Sequence, residues 1–299
     1  MEKKRKSFLR KVLIKSAAAV SALFIENHLL QVSEYRIVSQ KVPASFDGFK
    51  IMQLSDLHSK SFGSSNARLI RKINAANPDL IVMTGDMVTR SDSNHDVFFH
   101  LAQTLGKKYP CYYVIGNHEQ NMEPDELQAF LSRLAEFGIR VLDNEKAELH
   151  RGNQTVNLYG MWFSLNYYKE AKHTHQHKNF DSGAMQKSMG NCDPARYGIL
   201  LTHNPLCFDT YADWGADLTL CGHVHGGMIR LPFLGGLLSP EREFFPKYSG
   251  GVYEQGDKKL IVSRGLGSGV FGARIFNCPE VVTAVLCRKA SELHKNRKR

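Results

Sequence analysis

Short, mainly apolar runs broken by turn residues set the first pattern along this chain. Residues 49–54, 80–84, 111–115, 198–201 and 218–221 are stretches of this kind. They are too short for core helices and end in Gly, Asp, Asn or Thr-His turns, as strands buried on both faces should. A helical period intervenes at Leu69, Ile70 and Ile73, capped by Ser64 or Ser65 and stopped by Asn77-Pro78. A clearer helix starts at Pro124, carries Leu127, Phe130, Leu131, Leu134 and Phe137 on one face and closes at Gly138. From 139 to 162 the pattern changes to short strands around an Arg151-Gly152-Asn153 turn, 252–254 and 259–263 read as a hairpin, and 281–287 reads as a final strand. Strand, helix and strand alternate in the first half and β-pairs follow, which makes the chain an α/β protein. Residues 166–195 sustain neither period. Their Tyr167, Tyr168, Lys169, Lys172, His173, His175, His177, Lys178 and Lys187 read as a surface insertion beside the site.

Each of the five apolar runs ends in metal-binding or proton-transferring side chains. The islands are Asp56-Leu57-His58, Gly85-Asp86, Gly116-Asn117-His118-Glu119, Thr202-His203-Asn204 and Gly222-His223-Val224-His225. Ligands at five strand ends can converge on one edge of a sheet, where open α/β sheets place their sites. Four His, two Asp and one Asn carbonyl form a mixed nitrogen and oxygen set without thiolate, which suits Mn, Fe, Zn or Co better than Ca or Mg. Seven side chains exceed one ion's needs. With one carboxylate bridging, they supply four contacts to each of two ions. A pair of ions roughly 3.5–4 Å apart is the clamp used for in-line displacement at phosphorus.

The ordered islands resemble the calcineurin-like metallophosphoesterases, whose pattern runs D-x-H, G-D, G-N-H-[DE], H, G-H-x-H. The resemblance spans about residues 49–286 and implies a four-layer α/β/β/α sandwich holding two divalent ions, Mn2+, Fe2+/3+ or Zn2+. Position by position it implies that Asp56, His58, Asp86 and His225 hold the first ion. Asp86 bridges to the second, which Asn117, His203 and His223 complete. It leaves His118 unligated, over the scissile phosphate, as the group that protonates the leaving oxygen. Many members have Gly-Asp-x-x-Asp at the second island, whereas this chain has Thr89 at the last position.

Charge changes the picture at the ends. Residues 1–15 carry Lys3, Lys4, Arg5, Lys6, Arg10, Lys11 and Lys15 against Glu2, and residues 288–299 carry Arg288, Lys289, Lys295, Arg297, Lys298 and Arg299 against Glu292. The formal charge of +10 therefore belongs to the tails, and the body is near neutral. That argues against a nucleic-acid groove and for an anionic membrane surface as a partner. Residues 12–25 are mainly apolar, but Lys15 interrupts them and the stretch from Lys15 to Glu26 is too short to span a bilayer, so they read as a membrane-associating segment. A spanning anchor would place the enzyme outside the cytoplasm, a non-spanning one inside it. The expected organisation is a tail over 1–40, a catalytic domain over 41–287 and a tail over 288–299. Cys111, Cys192, Cys207, Cys221, Cys278 and Cys287 show no Cys-x-x-Cys spacing and read as reduced thiols.

Reaction class follows from the islands, but the leaving group does not. Arg230, Tyr248, Arg264 and Arg274 are the candidate substrate contacts, since Arg forks match phosphate oxygens. Arg264 leads because a Gly-rich loop follows it. The resemblance extends to a membrane-linked branch acting on nucleotide-sugar or lipid-linked phosphoesters such as UDP-2,3-diacylglucosamine. An inactive scaffold or membrane adaptor and a nuclease are the alternative readings.

Overall fold

The computed structural model describes residues 27, 29–92, 94–168, 180–227, 229–231, 233–239, 243–267 and 274–289. The two basic tails, the apolar segment 12–25 and the His-rich stretch 169–179 lie outside the described residues.

Two six-stranded mixed sheets form the centre. The first runs in the order β1 (Gln31–Ser39), β14 (Glu280–Arg288), β2 (Lys50–Leu54), β3 (Leu80–Thr84), β4 (Cys111–Val114) and β5 (Ile139–Val141). The second runs β12 (Gly251–Gln255), β13 (Lys258–Val262), β9 (Leu218–Cys221), β8 (Gly198–Leu201), β7 (Gln154–Gly160) and β6 (Glu145–Arg151). Strands β2 to β5 are mutually parallel, as are β13, β9, β8 and β7. Strand periodicity explains why these runs are apolar throughout, because each serves two cores. In β3, Leu80 and Val82 point into the core shared by the two sheets, while Ile81 and Met83 point outward. The outward core is closed by α1 (Ala67–Ala76), α2 (Asp96–Gly106) and α3 (Pro124–Glu136) through Leu69, Ile73, Phe98, Leu101, Phe130 and Leu134. The second sheet's outer face packs on α4 (Ser182–Met189) and α5 (Phe208–Trp214) through Met185, Phe208 and Tyr211. Three apolar cores between four layers make the α/β/β/α sandwich that the resemblance implied.

The strand runs before the islands, the helices at 67–76 and 124–136 and the hairpin of β12 and β13 stand where the pattern put them. Three elements depart from it. Helix α2 went unread although Phe98, Leu101, Ala102 and Leu105 fall on one buried face. Helix α4 lies inside the stretch taken as patternless; the Asp181 carboxylate caps it by accepting from Ala184 N at 2.9 Å, and it buries only Met185. The domain boundary at residue 40 cuts through the sheet, because β1 pairs in parallel with β14 from Gln31 to Ser39. That strand is mostly exposed, with only Ile37 buried within it, so it lacks the apolar run that betrayed the others.

The sheet thus begins at Gln31, and truncation should show it. Removing residues 1–26 is expected to leave thermal stability unchanged. Removing 1–40 strips Leu30 and Ile37, 5% and 1% exposed, and should cost at least about 4 kcal/mol in denaturant unfolding, the scale of two buried aliphatic side chains.

Candidate metal centre

All seven proposed ligands follow the C-terminal ends of β2, β3, β4, β8 and β9, which parallel pairing brings to one edge of each sheet. The chain must turn sharply there. Asp56, His58, Asp86, His223 and His225 all adopt left-handed backbone, with φ of 51°, 47°, 52°, 71° and 51°. Non-glycine residues enter that region at a cost of about 1–3 kcal/mol each and concentrate at functional sites. Neighbouring loops approach closely enough to exclude a side chain: a Cβ on Gly116 would lie 2.3 Å from Asp86 Oδ1, and one on Gly222 2.3 Å from Asp56 Oδ2.

The donor atoms fall into overlapping groups, each within 4.8 Å: Asp56, His58 and His225; His58, Asp86 and His118; and Asp86, His203 and His223. Asp86 sits between them. Its Oδ2 is 3.1 Å from His203 Nε2 and 4.0 Å from both His58 Nε2 and His118 Nε2. On one side His58 Nε2 and His225 Nε2 are 3.1 Å apart, and His225 Nε2 is 3.6 Å from Asp56 Oδ1. On the other, His223 Nδ1 is 3.1 Å from Asn117 Oδ1. His58 and His118 are the most open of these, at only 8% and 13% side-chain exposure, and the other groups are buried.

Hydrogen bonds to the far ring nitrogens separate two kinds of histidine. His203 Nδ1 lies 2.7 Å from Thr84 O, and a carbonyl only accepts, so Nδ1 carries a proton and Nε2 is the nitrogen turned to the site. That Nε2 is buried and aligned with no hydrogen-bond partner, as suits a metal ligand. His118 is reversed. Its Nδ1 accepts from Arg90 N–H at 3.1 Å, which leaves the proton on Nε2, and its own backbone N–H donates to Asp86 Oδ1 at 2.8 Å. A ring presenting N–H to the site is a proton donor, although distance alone groups it with His58 and Asp86.

Electrostatics agree with a site built for cations. Burial holds the His58 imidazole down to about 3, against the pull of Asp86, and burial together with His58 and Arg274 holds His225 well below its usual value. Both are thus neutral, the form that binds metal. His203 goes the other way: burial opposes its charge, but Asp86 and then Asp56 raise it to about 10. Burial would raise the Asp86 carboxyl, yet His203, His118 and His58 outweigh it and hold it well below the carboxylate range. Neutral His58 and His225 beside buried carboxylates fit divalent ions.

Glu119, quoted in the third island without a role, fastens the loops. Its buried carboxylate accepts from Asp86 N–H at 2.9 Å, Met87 N–H at 2.8 Å and Gly116 N–H at 2.8 Å, joining the loop after β3 to the loop after β4. Burial and Asp86 push its carboxyl up, and the Gly116 and Asp86 amides pull it back. Asp92 serves the position left by Thr89. It accepts from Thr89 N–H at 3.1 Å and from Ser59 Oγ, tying the loops after β3 and β2 together. Asn277 holds the last island by donating to His225 O at 2.6 Å. No periodicity marks Asn277 or Asp92, since both lie in irregular loops.

The four candidate substrate contacts separate. Arg264 is engaged with buried Glu280, Nε to Oε2 at 2.6 Å, and with Gln31 Oε1 at 2.9 Å. Tyr248 is drawn into the outer core, edge-on to Phe208, its hydroxyl 3.3 Å from Asp209 Oδ1. Arg230 donates to Gly226 O at 3.0 Å. Arg274 braces the first island: its Nε donates to Gly267 O at 2.6 Å, and Gly267 N–H donates to Asp56 O at 2.6 Å. Its Nη1 is buried and has no hydrogen-bond partner among the described residues.

Fold and site together define a metallophosphoesterase. The family model for calcineurin-like phosphoesterases matches residues 49–227, and the chain belongs to that family. Among its relatives are YkuE, a metallophosphoesterase of Bacillus subtilis, 28% identical over 270 residues (89% of this chain, 88% of YkuE), and the phosphodiesterase YaeI of Escherichia coli, 28% identical over 246 residues (78% and 80%). The UDP-2,3-diacylglucosamine pyrophosphatase LpxG of Chlamydia trachomatis is 26% identical over 311 residues (83% and 87%).

Glu119→Ala tests the fastening. It leaves three close backbone N–H groups unpaired at about 1–3 kcal/mol each, so the variant should bind less metal by elemental analysis and melt at lower temperature.

Proposed function

We propose that the chain hydrolyses a phosphodiester or pyrophosphate bond at a dinuclear centre, and the carrying observation is the chain of overlapping donor groups in which Asp86 lies between Asp56, His58 and His225 on one side, reached through His58 at 4.0 Å, and His203 and His223 on the other. Asp56, His58, Asp86 and His225 would hold one ion, and Asp86, Asn117, His203 and His223 the other. Two such ions supply Lewis acidity and an activated water for attack at phosphorus. The chain's own residues do the rest. Asp86 fixes the spacing of the two halves, and the Thr84 carbonyl keeps His203 in its ligating tautomer. His118, 13% exposed, presents Nε2–H to the site, where a leaving oxygen can take the proton. Arg274, with Nη1 unpaired among the described residues, is the better candidate for a phosphate oxygen now that Glu280 occupies Arg264.

Similarity to YaeI and LpxG supports a diester or pyrophosphate over a monoester, with a nucleotide-sugar or lipid-linked substrate as the finer reading. Turnover of bis-p-nitrophenyl phosphate should be abolished by chelation and restored by Mn2+. His118→Ala should lower kcat about 100-fold or more while metal content stays near that of the parent. Asp86→Ala should instead lose metal. Metal loss in His118→Ala with retention in Asp86→Ala would reverse the two roles, and full turnover in metal-free protein would refute the reaction.

A further inference from the structure

A groove of about 570 Å³ opens on the lobe that follows the last metal-ligand island. The lobe is built from β10 (Arg230–Leu231) and β11 (Gly235–Gly236), bridged to Ile275 through Ile229 and to Phe244 through Leu238. It stands directly on the metal centre's backbone, since Arg230 Nη1 reaches Gly226 O and Gly227 packs so closely on Gly236 that a Cβ there would meet its Cα at 2.5 Å. Among the described residues both charged side chains in the groove wall, Arg230 and Lys247, are cations and no carboxylate lines it; Lys247 meets Asp209 outside the wall at 3.4 Å.

Its surroundings are apolar and exposed. Phe233, Leu234, Phe244, Phe245 and Phe276 are 55% to 107% exposed, and Phe233, Leu234 and Phe276 also line the groove. Phe245 N–H donates to Leu237 O at 2.9 Å, which binds the second aromatic pair to the same lobe. Isolated apolar residues on a surface need no explanation, but a cluster of large ones marks a contact. Backbone conformation adds an independent sign. Phe233, Phe245 and Phe276 have φ of 68°, 51° and 51°, a left-handed region that turns ordinarily assign to Gly or Asn. Three bulky rings are held outward on backbone that disfavours them, and the described residues offer them no cover.

A lipid surface matches this chemistry best. Apolar side chains enter the boundary between headgroups and acyl chains, and Lys or Arg beside them meet anionic headgroups. The chain's path points the same way. Residues 1–26, with their seven cations within 1–15 and the apolar run 12–25, join the body at Asn27. Asn27 is clasped to Arg274, donating to its O at 3.0 Å and accepting from its N–H at 2.8 Å, two residues from Phe276. The described chain therefore starts beside the loop that carries Phe276.

We propose that this lobe is a membrane-docking surface: Phe233, Leu234, Phe244, Phe245 and Phe276 enter the interface of an anionic phospholipid bilayer, and Arg230 and Lys247 face its headgroup phosphates. Docking places the metal centre against the bilayer. It stands apart from the catalytic reading, because lipid contact requires no turnover.

The test uses the full chain with phosphatidylglycerol–phosphatidylcholine vesicles, with and without bromine on the acyl chains. A Phe233→Trp variant adds one reporter to the native Trp162 and Trp214. Its added emission should shift to the blue on vesicles and be quenched by brominated lipid, while the parent's emission stays unchanged. The triple variant Phe233→Ser/Phe244→Ser/Phe276→Ser should bind vesicles about tenfold or more weakly, as loss of buried phenylalanine surface requires. Its turnover of soluble bis-p-nitrophenyl phosphate should match the parent. An unshifted, unquenched reporter on vesicles that do sediment the protein would overturn the proposal and leave attachment to residues 1–26. A reporter already buried without lipid would overturn it in favour of residues 12–25 or a second copy as the cover, and failure of the protein to bind any vesicle would overturn it outright.

Discussion

Carboxylates taken out of water must be matched by positive charge or by hydrogen-bond donors, and the buried cluster of Asp56, Asp86 and Glu119 imposes that demand on everything around it. Glu119 is matched by backbone amides and Asp86 by three histidines and the His118 N–H. Asp56 accepts the His223 N–H with both oxygens, at 3.0 and 3.2 Å. Apart from the Gly116 amide, these partners are distant in sequence. They come from several strand ends, so the cluster holds together only if two sheets keep their edges in register.

The core between the sheets supplies that register. Ile51, Val82 and Val114 from the first sheet meet Leu158, Ile199, Leu201, Leu218 and Leu220 from the second, with no room for either sheet to slide. Near the site a polar tie replaces the apolar one: Gln53 Nε2 donates to Thr84 Oγ1 at 2.9 Å and to Cys221 O at 2.8 Å, joining β2 to β3 and across to β9. Loops leaving these strands can then afford left-handed ligand residues, because packing behind them is fixed.

Much of this was legible from residue order. A strand that serves two cores must be apolar on both faces, so β3, β8 and β9 announced themselves, and the polar islands at their ends stood out by contrast. What could not be read were partners supplied by geometry. The Thr84 carbonyl and the Arg90 amide, which set the two histidine rings in opposite orientations, are backbone groups. Strand β1 was hidden by exposure, since an edge strand with one buried residue carries no apolar run. Arg264 looked available beside its glycines, yet Glu280 lies far from it in sequence and close to it in space. The helix at 182–189 was obscured by the polar residues around it, with Met185 as its only buried side chain.

The account centres on Asp86 as the carboxylate common to two metal positions. Anomalous scattering from crystals grown with Mn2+ tests it most directly. Two peaks roughly 3.5–4 Å apart are expected, one among Asp56, His58 and His225, the other among Asn117, His203 and His223, with Asp86 touching both. A single peak, or a pair that Asp86 does not join, would contradict it.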